Sequence, residues 1–232
     1  MKKNYIFTLF LVFILCILSS CNVSKKDSSE PNIVSSINPS KEITSKEVRL
    51  TSDFSSVVIL GNFNVVLEGG SGSINIETSS NIQEYINYSV SNKTLTISKS
   101  DLVSFNALVR ITINKDNVSD IKTSYGANLN SKLSYDNLIV SLDTASNISL
   151  TGKINYLTIN ITDVSSAVID KAMIKEALID VSVKSSLYIN LNGTINGNVS
   201  DSSRVTVTGN IRSNSVSSDA SSKVNINGNL NS

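Results

Sequence analysis

Ser141-Leu142-Asp143-Thr144-Ala145-Ser146-Asn147-Ile148-Ser149-Leu150 reads as two short alternations of apolar and polar residues that meet at one small residue, Ser146. Leu142 lies four places before it, and Ile148 and Leu150 lie two and four places after it. Alternation with period two on both sides of a small residue is what two strands meeting at a bend require. The same figure recurs around Ala127, Ser165, Ser185, Ser203 and Ser222, at successive spacings of 19, 19, 20, 18 and 19 residues along the six positions. That period is too short for a helix-pair repeat and falls in the range of β-solenoids.

Aligned on the small residue, each column has one chemical character. Two places on stand Leu129, Ile148, Ala167, Leu187, Val205 and Val224, and two further on Ser131, Leu150, Ile169, Ile189, Val207 and Ile226. Four places before it come Thr123, Leu142, Ile161, Val181, Val199 and Ser218. After the second strand, Gly152, Gly193, Gly209 and Gly228 mark a further corner, followed by Ile154, Ile195, Ile211 and Leu230. The expected fold is all-β: a right-handed, three-sided parallel β-helix whose coils stack about 4.7–4.9 Å apart, the hand following from the rule for parallel crossovers. The column just after the small residue (Asn128, Asn147, Ser166, Ser186, Arg204, Lys223) reads as turn chemistry, with Asn tolerating a left-handed corner and Ser bonding nearby backbone.

Residues 48–118 lack the period but hold β-like runs at 56–60, 63–68, 73–77, 85–90, 94–98 and 108–113. They are expected to form the first coils and an irregular cap, as terminal repeats of solenoids do. At the other end no amphipathic cover follows Asn227-Gly228-Asn229-Leu230, and an open coil edge invites self-association through the C-terminal coil.

The chain begins with Lys2 and Lys3, an apolar run over residues 5–18, and Ser19-Ser20-Cys21, which reads as a secretory leader over residues 1–20. Leu18-Ser19-Ser20-Cys21 resembles the bacterial lipobox, which implies lipidation of Cys21 and a membrane partner through that anchor. Residue 22 is Asn rather than the acidic residue that resembles an inner-membrane retention signal, so an outer-membrane lipoprotein, periplasmic or surface-exposed, is expected. Residues 21–46 hold both prolines and no alternation, and are expected to be a flexible tether before a solenoid over residues 47–232.

Composition narrows the chemistry. There is no His and no Trp among the 232 residues, so neither a Ser-His-Asp triad nor a His-ligated metal can exist. Loss of Lys2 and Lys3 from 20 basic residues leaves 18 against 19 acidic ones, a balance unsuited to neutralising nucleic-acid phosphates. Cys21 would be the only remaining thiol, so no internal disulfide is expected.

Asp53-Phe54, residues 56–60 leading through Gly61-Asn62-Phe63-Asn64-Val65, Lys93-Thr94-Leu95-Thr96-Ile97 and the corner Tyr125-Gly126-Ala127-Asn128 together resemble the head GIN domain family of autotransporter adhesin heads. The resemblance covers residues 48–232 and implies a right-handed β-solenoid in a bacterial envelope protein. Where that family favours Ser-Gly-Ala-Ser corners, this chain has Thr144-Ala145-Ser146-Asn147 and Asp201-Ser202-Ser203-Arg204. No aromatic, strand-like translocator segment ends the sequence.

Some β-solenoids act on polysaccharides, so paired carboxylates are the candidates for chemistry. Asp163 and Asp201 share the column two places before the small residue, two coils and so roughly 9–10 Å apart, at the upper edge of an inverting glycosidase pair. Turn-forming Asp accounts for both. Asp143, Asp163, Asp201 and Asp219 lie near one edge but do not stack in one column as a Ca²⁺ ladder would. No catalytic residue, metal or cofactor is therefore expected. The function expected is non-enzymatic adhesion or binding to an unidentified protein or glycan, with a polysaccharide-active enzyme or an end-to-end assembly module as alternatives.

Overall fold

The computed structural model describes residues 35–230. The leader and Cys21 lie outside the described residues. Among the described residues eighteen strands make up nearly all regular structure, with a 3₁₀ turn at Gln83–Tyr85. The N-terminal part comprises β1 (Ser35–Ser36), β2 (Ile43–Arg49), β3 (Ser56–Leu60), β4 (Asn64–Glu68), β5 (Ser71–Ser79), β6 (Ile86–Ser91), β7 (Thr94–Lys99), β8 (Val103–Ser104) and β9 (Arg110–Lys115). The repeated part comprises β10 (Asp120–Ser124), β11 (Asn128–Ser131), β12 (Tyr135–Leu142), β13 (Asn147–Ile161), β14 (Ser166–Val181), β15 (Ser186–Val199), β16 (Arg204–Ser218), β17 (Lys223–Ile226) and β18 (Asn229–Leu230).

Strands of successive coils pair in parallel, in the register the columns predict. Leu129 faces Ile148, then Ala167, Leu187, Val205 and Val224 in turn. Thr123 faces Leu142, followed by Ile161, Val181, Val199 and Ser218. The aliphatic members of these columns, Leu142, Ile161, Leu187 and Val205 among them, are buried in one continuous core, with Val224 of the last coil half-buried against it. Each buried aliphatic contributes about 1.5–3 kcal/mol, so the recurring columns are the main stabilising term of every coil. Ser131, the one polar member of its column, is buried against Tyr135, their hydroxyls 2.5 Å apart. Burial raises the pKa of that phenol, and the Ser131 hydrogen bond only partly offsets the rise.

The glycine corner departs from the expected column. Gly209 faces Leu191, whereas Gly193 faces Ile211, and Ile195 faces Asn214 rather than Ile211. The cause is unequal coil length: the ladder shifts after Ser149, after Ile169 and after Gly193, where one strand carries extra residues. The coils therefore absorb their 18- to 20-residue variation at this bend and keep the small-residue corner in register. Gly197 also interrupts an otherwise aliphatic column (Ile121, Val140, Ile159, Ile179, Val216). Its φ is +139°, and a Cβ there would lie 1.8 Å from the Ile179 carbonyl oxygen. Close backbone approach, not side-chain packing, selects glycine at that position.

The N-terminal half supplies two more rungs and a cap, as expected, but not in sequence order. The rung β3/β4 is earlier in the chain than β7/β9, yet it lies between β7/β9 on one side and β10/β11 on the other. Beyond β7 lies β6, and beyond β9 lie β5 and then β2, all three joined antiparallel. Reversal of strand direction closes the parallel stack, and hairpin-like pairing lets a short chain do so. Residues 43–46, expected to belong to the tether, form the first half of β2, and Ser35–Ser36 pair with Val103–Ser104. An edge strand with little buried face needs few aliphatics, and among residues 43–49 only Thr44 and Val48 are half-buried.

Substitution Gly197→Ala should lower stability by about 3 kcal/mol or more, because the added methyl meets fixed backbone on the preceding coil. Thr206→Ala, on the half-exposed side of β16, should change it by no more than about 0.5 kcal/mol. Urea unfolding of both variants measures the contrast, and equal midpoints would contradict the close approach.

Candidate binding surface

Each repeated corner is a four-residue turn ending on the small residue. In the four middle coils the two central residues both have positive φ: Thr144 and Ala145, Asp163 and Val164, Val183 and Lys184, Asp201 and Ser202, all between 50° and 64°. Tyr125 and Gly126 do the same in the preceding coil, at 60° and 79°. Consecutive positive φ values are the mark of the type I′ turn. The left-handed residues thus precede the small residue, not follow it as the Asn128 and Asn147 column suggested. That column lies beside the turn: Asn128 Nδ2 donates to the Gly126 carbonyl at 3.3 Å, and Asn147 Nδ2 to Asn128 Oδ1 at 3.0 Å.

Non-glycine residues cost about 1–2 kcal/mol each in this conformation. Stacking offsets that cost. The second turn amide of one coil donates to the next coil's turn carbonyl, Gly126 to Thr144, Ala145 to Asp163, Val164 to Val183 and Lys184 to Asp201, at 2.8–3.0 Å. Beneath the turns runs a ladder of buried serines. The Ser146, Ser165, Ser185 and Ser203 amides donate to the hydroxyls of Ser165, Ser185, Ser203 and Ser222 at 3.1–3.2 Å. Small residues are therefore required here for a second reason besides space: serine supplies an acceptor for an inward amide. Ser146 Oγ, at the start of the ladder where Ala127 precedes it, is buried and without a partner.

Asp219 ends the corner stack. Its Oδ2 accepts from the Asp201 amide at 2.8 Å, and its Oδ1 from the Ser221 amide and hydroxyl, both at 3.0 Å. The Asp201 amide above all, then the Ser222 hydroxyl, holds its pKa down from 3.8 to about 2. At the opposite end of the stack, Asp143 accepts from the Ser124 and Thr144 hydroxyls.

The candidate carboxylates are thus turn residues. Asp163 and Asp201 are the left-handed members of their corners, with the left-handed Val183 between them, and both are exposed. Among the described residues no three His, Cys, Asp or Glu side chains come together as metal ligands. Tyr156 and Tyr188, both exposed, lie in separate columns: Tyr156 beside Asn137 and Glu176, and Tyr188 beside Val168 and Thr206.

A cavity of about 560 Å³, which the sequence did not indicate, opens at the N-terminal end of the corner row. Leu60, Gly61 and Phe63 form one wall, and the segment after β7, with Asp101 and Phe105, forms another. Tyr125 stands at its rim, 63% exposed. Gly61 is buried, and a Cβ on it would come within 2.9 Å of the Phe63 ring, so the floor needs glycine. The sequence signal that could have found it is Tyr125, an aromatic at the corner position that Thr144, Asp163, Val183 and Asp201 fill in later coils.

The sequence matches, over residues 53–210, the family described as "Putative auto-transporter adhesin, head GIN domain". No protein among curated sequences matches the chain. Solved structures that share its fold include the following three. A "putative adhesin" from Bacteroides fragilis is 15% identical, with a TM-score of 0.61, over 83% of this chain and 100% of its own. A "putative lipid binding protein" from Parabacteroides distasonis is 12% identical, with a TM-score of 0.60, over 84% and 98%. A "putative adhesin" from Parabacteroides merdae is 18% identical, with a TM-score of 0.52, over 85% and 98%. No helix among the described residues is long and apolar enough to cross a membrane.

Two outcomes follow from the ladders. Ser185→Ala should cost about 0.5–1.5 kcal/mol, because the buried Ser165 amide loses one of its two acceptors and keeps only the Thr162 carbonyl at 3.2 Å, whereas Ser146→Ala, which removes a partnerless hydroxyl, should be neutral or stabilising; thermal unfolding of the pair checks the difference. The carboxylate of Asp219 is favoured in the folded state, so its contribution is complete above an ordinary Asp pKa and is lost as pH falls from about 4 through 2. Amide-exchange protection at Asp201 and Ser221 should fall over that window, and Asp219→Asn should flatten the dependence.

Proposed function

Since the chain belongs to the head GIN domain family, we propose that it is a cell-envelope protein that attaches, without catalysis, to a protein or glycan through the outside of its solenoid. The attachment domain is carried on a lipid anchor at Cys21, with the residues between the anchor and β1 as spacer. One observation carries the non-enzymatic part. The carboxylates at catalytic spacing, Asp163 and Asp201, sit in left-handed corner conformations that the stack itself requires. Their side chains are exposed on the outside of the turns rather than converging in a cleft. The outward positions of the long strands, such as Asn147, Ser149, Thr206 and Asn225, offer hydrogen-bonding groups along a rigid ladder. Rigid presentation lowers the ordering cost of binding, which suits attachment by a broad face.

The test is expression of the full chain in the envelope of a non-adherent bacterium, supplied with radiolabelled palmitate, and retention of the cells on immobilised glycans and extracellular proteins. Cells carrying the chain should be retained severalfold above controls. Cys21→Ser should abolish the label and the retention together. Retention no greater than controls overturns the attachment reading, and an unlabelled chain overturns the anchor.

A further inference from the structure

The first left-handed position of the corner is occupied by Thr144, Asp163, Val183 and Asp201 in successive coils, and by Tyr125 in the coil before them. Asn, Asp or Gly would adopt that backbone at less cost than an aromatic. The core gains nothing from the ring, since Tyr125 is 63% exposed. Its ring instead borders the cavity of about 560 Å³, a volume within the range of small-molecule sites. An aromatic held in a costly conformation at the mouth of a concavity points from an outlier to a function.

The cavity is built rather than incidental. Asn62 lies directly beneath the Tyr125 corner, where a Cβ on Gly126 would sit 3.8 Å from Asn62 Cβ, and the Gly61 amide donates to the Ser124 carbonyl at 3.2 Å. The opposing segment is strapped down by β1: the Ser35 amide donates to the Leu102 carbonyl and the Ile37 amide to the Ser104 carbonyl, at 3.2 and 2.9 Å. Val103 is buried by that pairing. Lys99 Nζ lies 5.4 Å from the centre of the Phe105 ring, within cation–π range.

We propose that this cavity binds one sugar residue of a glycan, stacked on Tyr125 and hydrogen-bonded by Asn62, Asn106 and Asp101. The inference rests on the attachment reading and gives it a site. A sugar presents an apolar C–H face and hydroxyls that both donate and accept. The cavity offers aromatic rings for the first, and side-chain amides, a carboxylate and an ammonium for the second. An anionic ligand fits less well, because Asp101 faces the same space as Lys99. An acyl chain fits less well too, because Ser98, Lys99, Asp101 and Asn106 leave much of the lining polar.

The test is saturation-transfer NMR on the full chain in detergent with D-glucose, D-galactose and N-acetyl-D-glucosamine, on the native protein and on Tyr125→Asn and Phe105→Ala. At least one sugar should show a saturable transfer signal. Its affinity should fall at least tenfold in each variant, while Tyr125→Asn keeps the native melting temperature because Asn accepts the left-handed corner. No signal from any sugar, undiminished binding by Tyr125→Asn, or displacement of the sugar by equimolar sodium sulfate would overturn the assignment. Cells displaying Tyr125→Asn separate the two levels. If native cells attach and these attach equally well, the cavity assignment falls and attachment stands; if native cells fail to attach, the attachment reading itself falls.

Discussion

Every coil must turn at the same place with the same left-handed pair of residues, and no single coil can hold that turn alone. Two non-glycine residues at positive φ cost about 2–4 kcal/mol per corner, whereas an isolated hydrogen bond returns about 0.5–1.5. The turn persists because its amide, the serine beneath it and the strand amide that follows all bond to the neighbouring coil. Aliphatic columns on both sides, such as Ile161 with Val181 and Leu187 with Val205, add the larger apolar contribution. A corner residue as unsuited as Val183 is tolerated for that reason.

A stack held by its neighbours has a problem at each end, and the two ends meet it differently. At the N-terminal end the chain doubles back: β7/β9 covers the open side of β3/β4, and the antiparallel strands β6, β5 and β2 reverse the ladder direction. Lys46 on β2 lies 5.6 Å from the ring centre of Tyr88 on β6, which ties the two outermost strands across the end of the core. At the C-terminal end the Ser202 amide, whose counterparts bond the next coil's turn carbonyl, donates to the Ser221 hydroxyl at 2.9 Å, and Asp219 accepts from the Asp201 and Ser221 amides with its side-chain oxygens. A carboxylate serves there because it accepts several amide and hydroxyl bonds at once, which is also why its pKa is low.

The same economy shapes the exterior. The aspartates that sequence inspection offers as chemistry serve the corner: Asp163 and Asp201 occupy left-handed turn positions, Asp143 accepts from the Ser124 and Thr144 hydroxyls, and Asp219 accepts backbone amides. What is left for recognition is the ladder of outward side chains and the one place where the corner row is interrupted by an insertion. That insertion, the segment between β7 and β9, is held by β1 and faces a tyrosine that the turn does not need. A rigid scaffold with its variation confined to such a segment is how loop-borne binding sites are commonly carried.

The repeat around Ser146 was enough to establish parallel coils, the inward columns and the invariant corner, because a period of about 19 residues with alternating aliphatics has one compact solution. The strand runs at 56–60 and 94–98 were legible for the same reason, since β3 and β7 fall on them. Three features were settled only by tertiary contacts. The stacking order of β3/β4 and β7/β9 depends on which open edge a later strand finds. The left-handed positions lie one or two residues before the small column, because the coil-to-coil bonds, not local propensity, select them. The cavity joins Gly61, Lys99, Phe105 and Tyr125, residues as far as 64 positions apart in sequence. Local pattern reports which side chains want to be inside a coil; which coils become neighbours, and what opens between them, is decided by the pairing of backbone edges that no local pattern encodes.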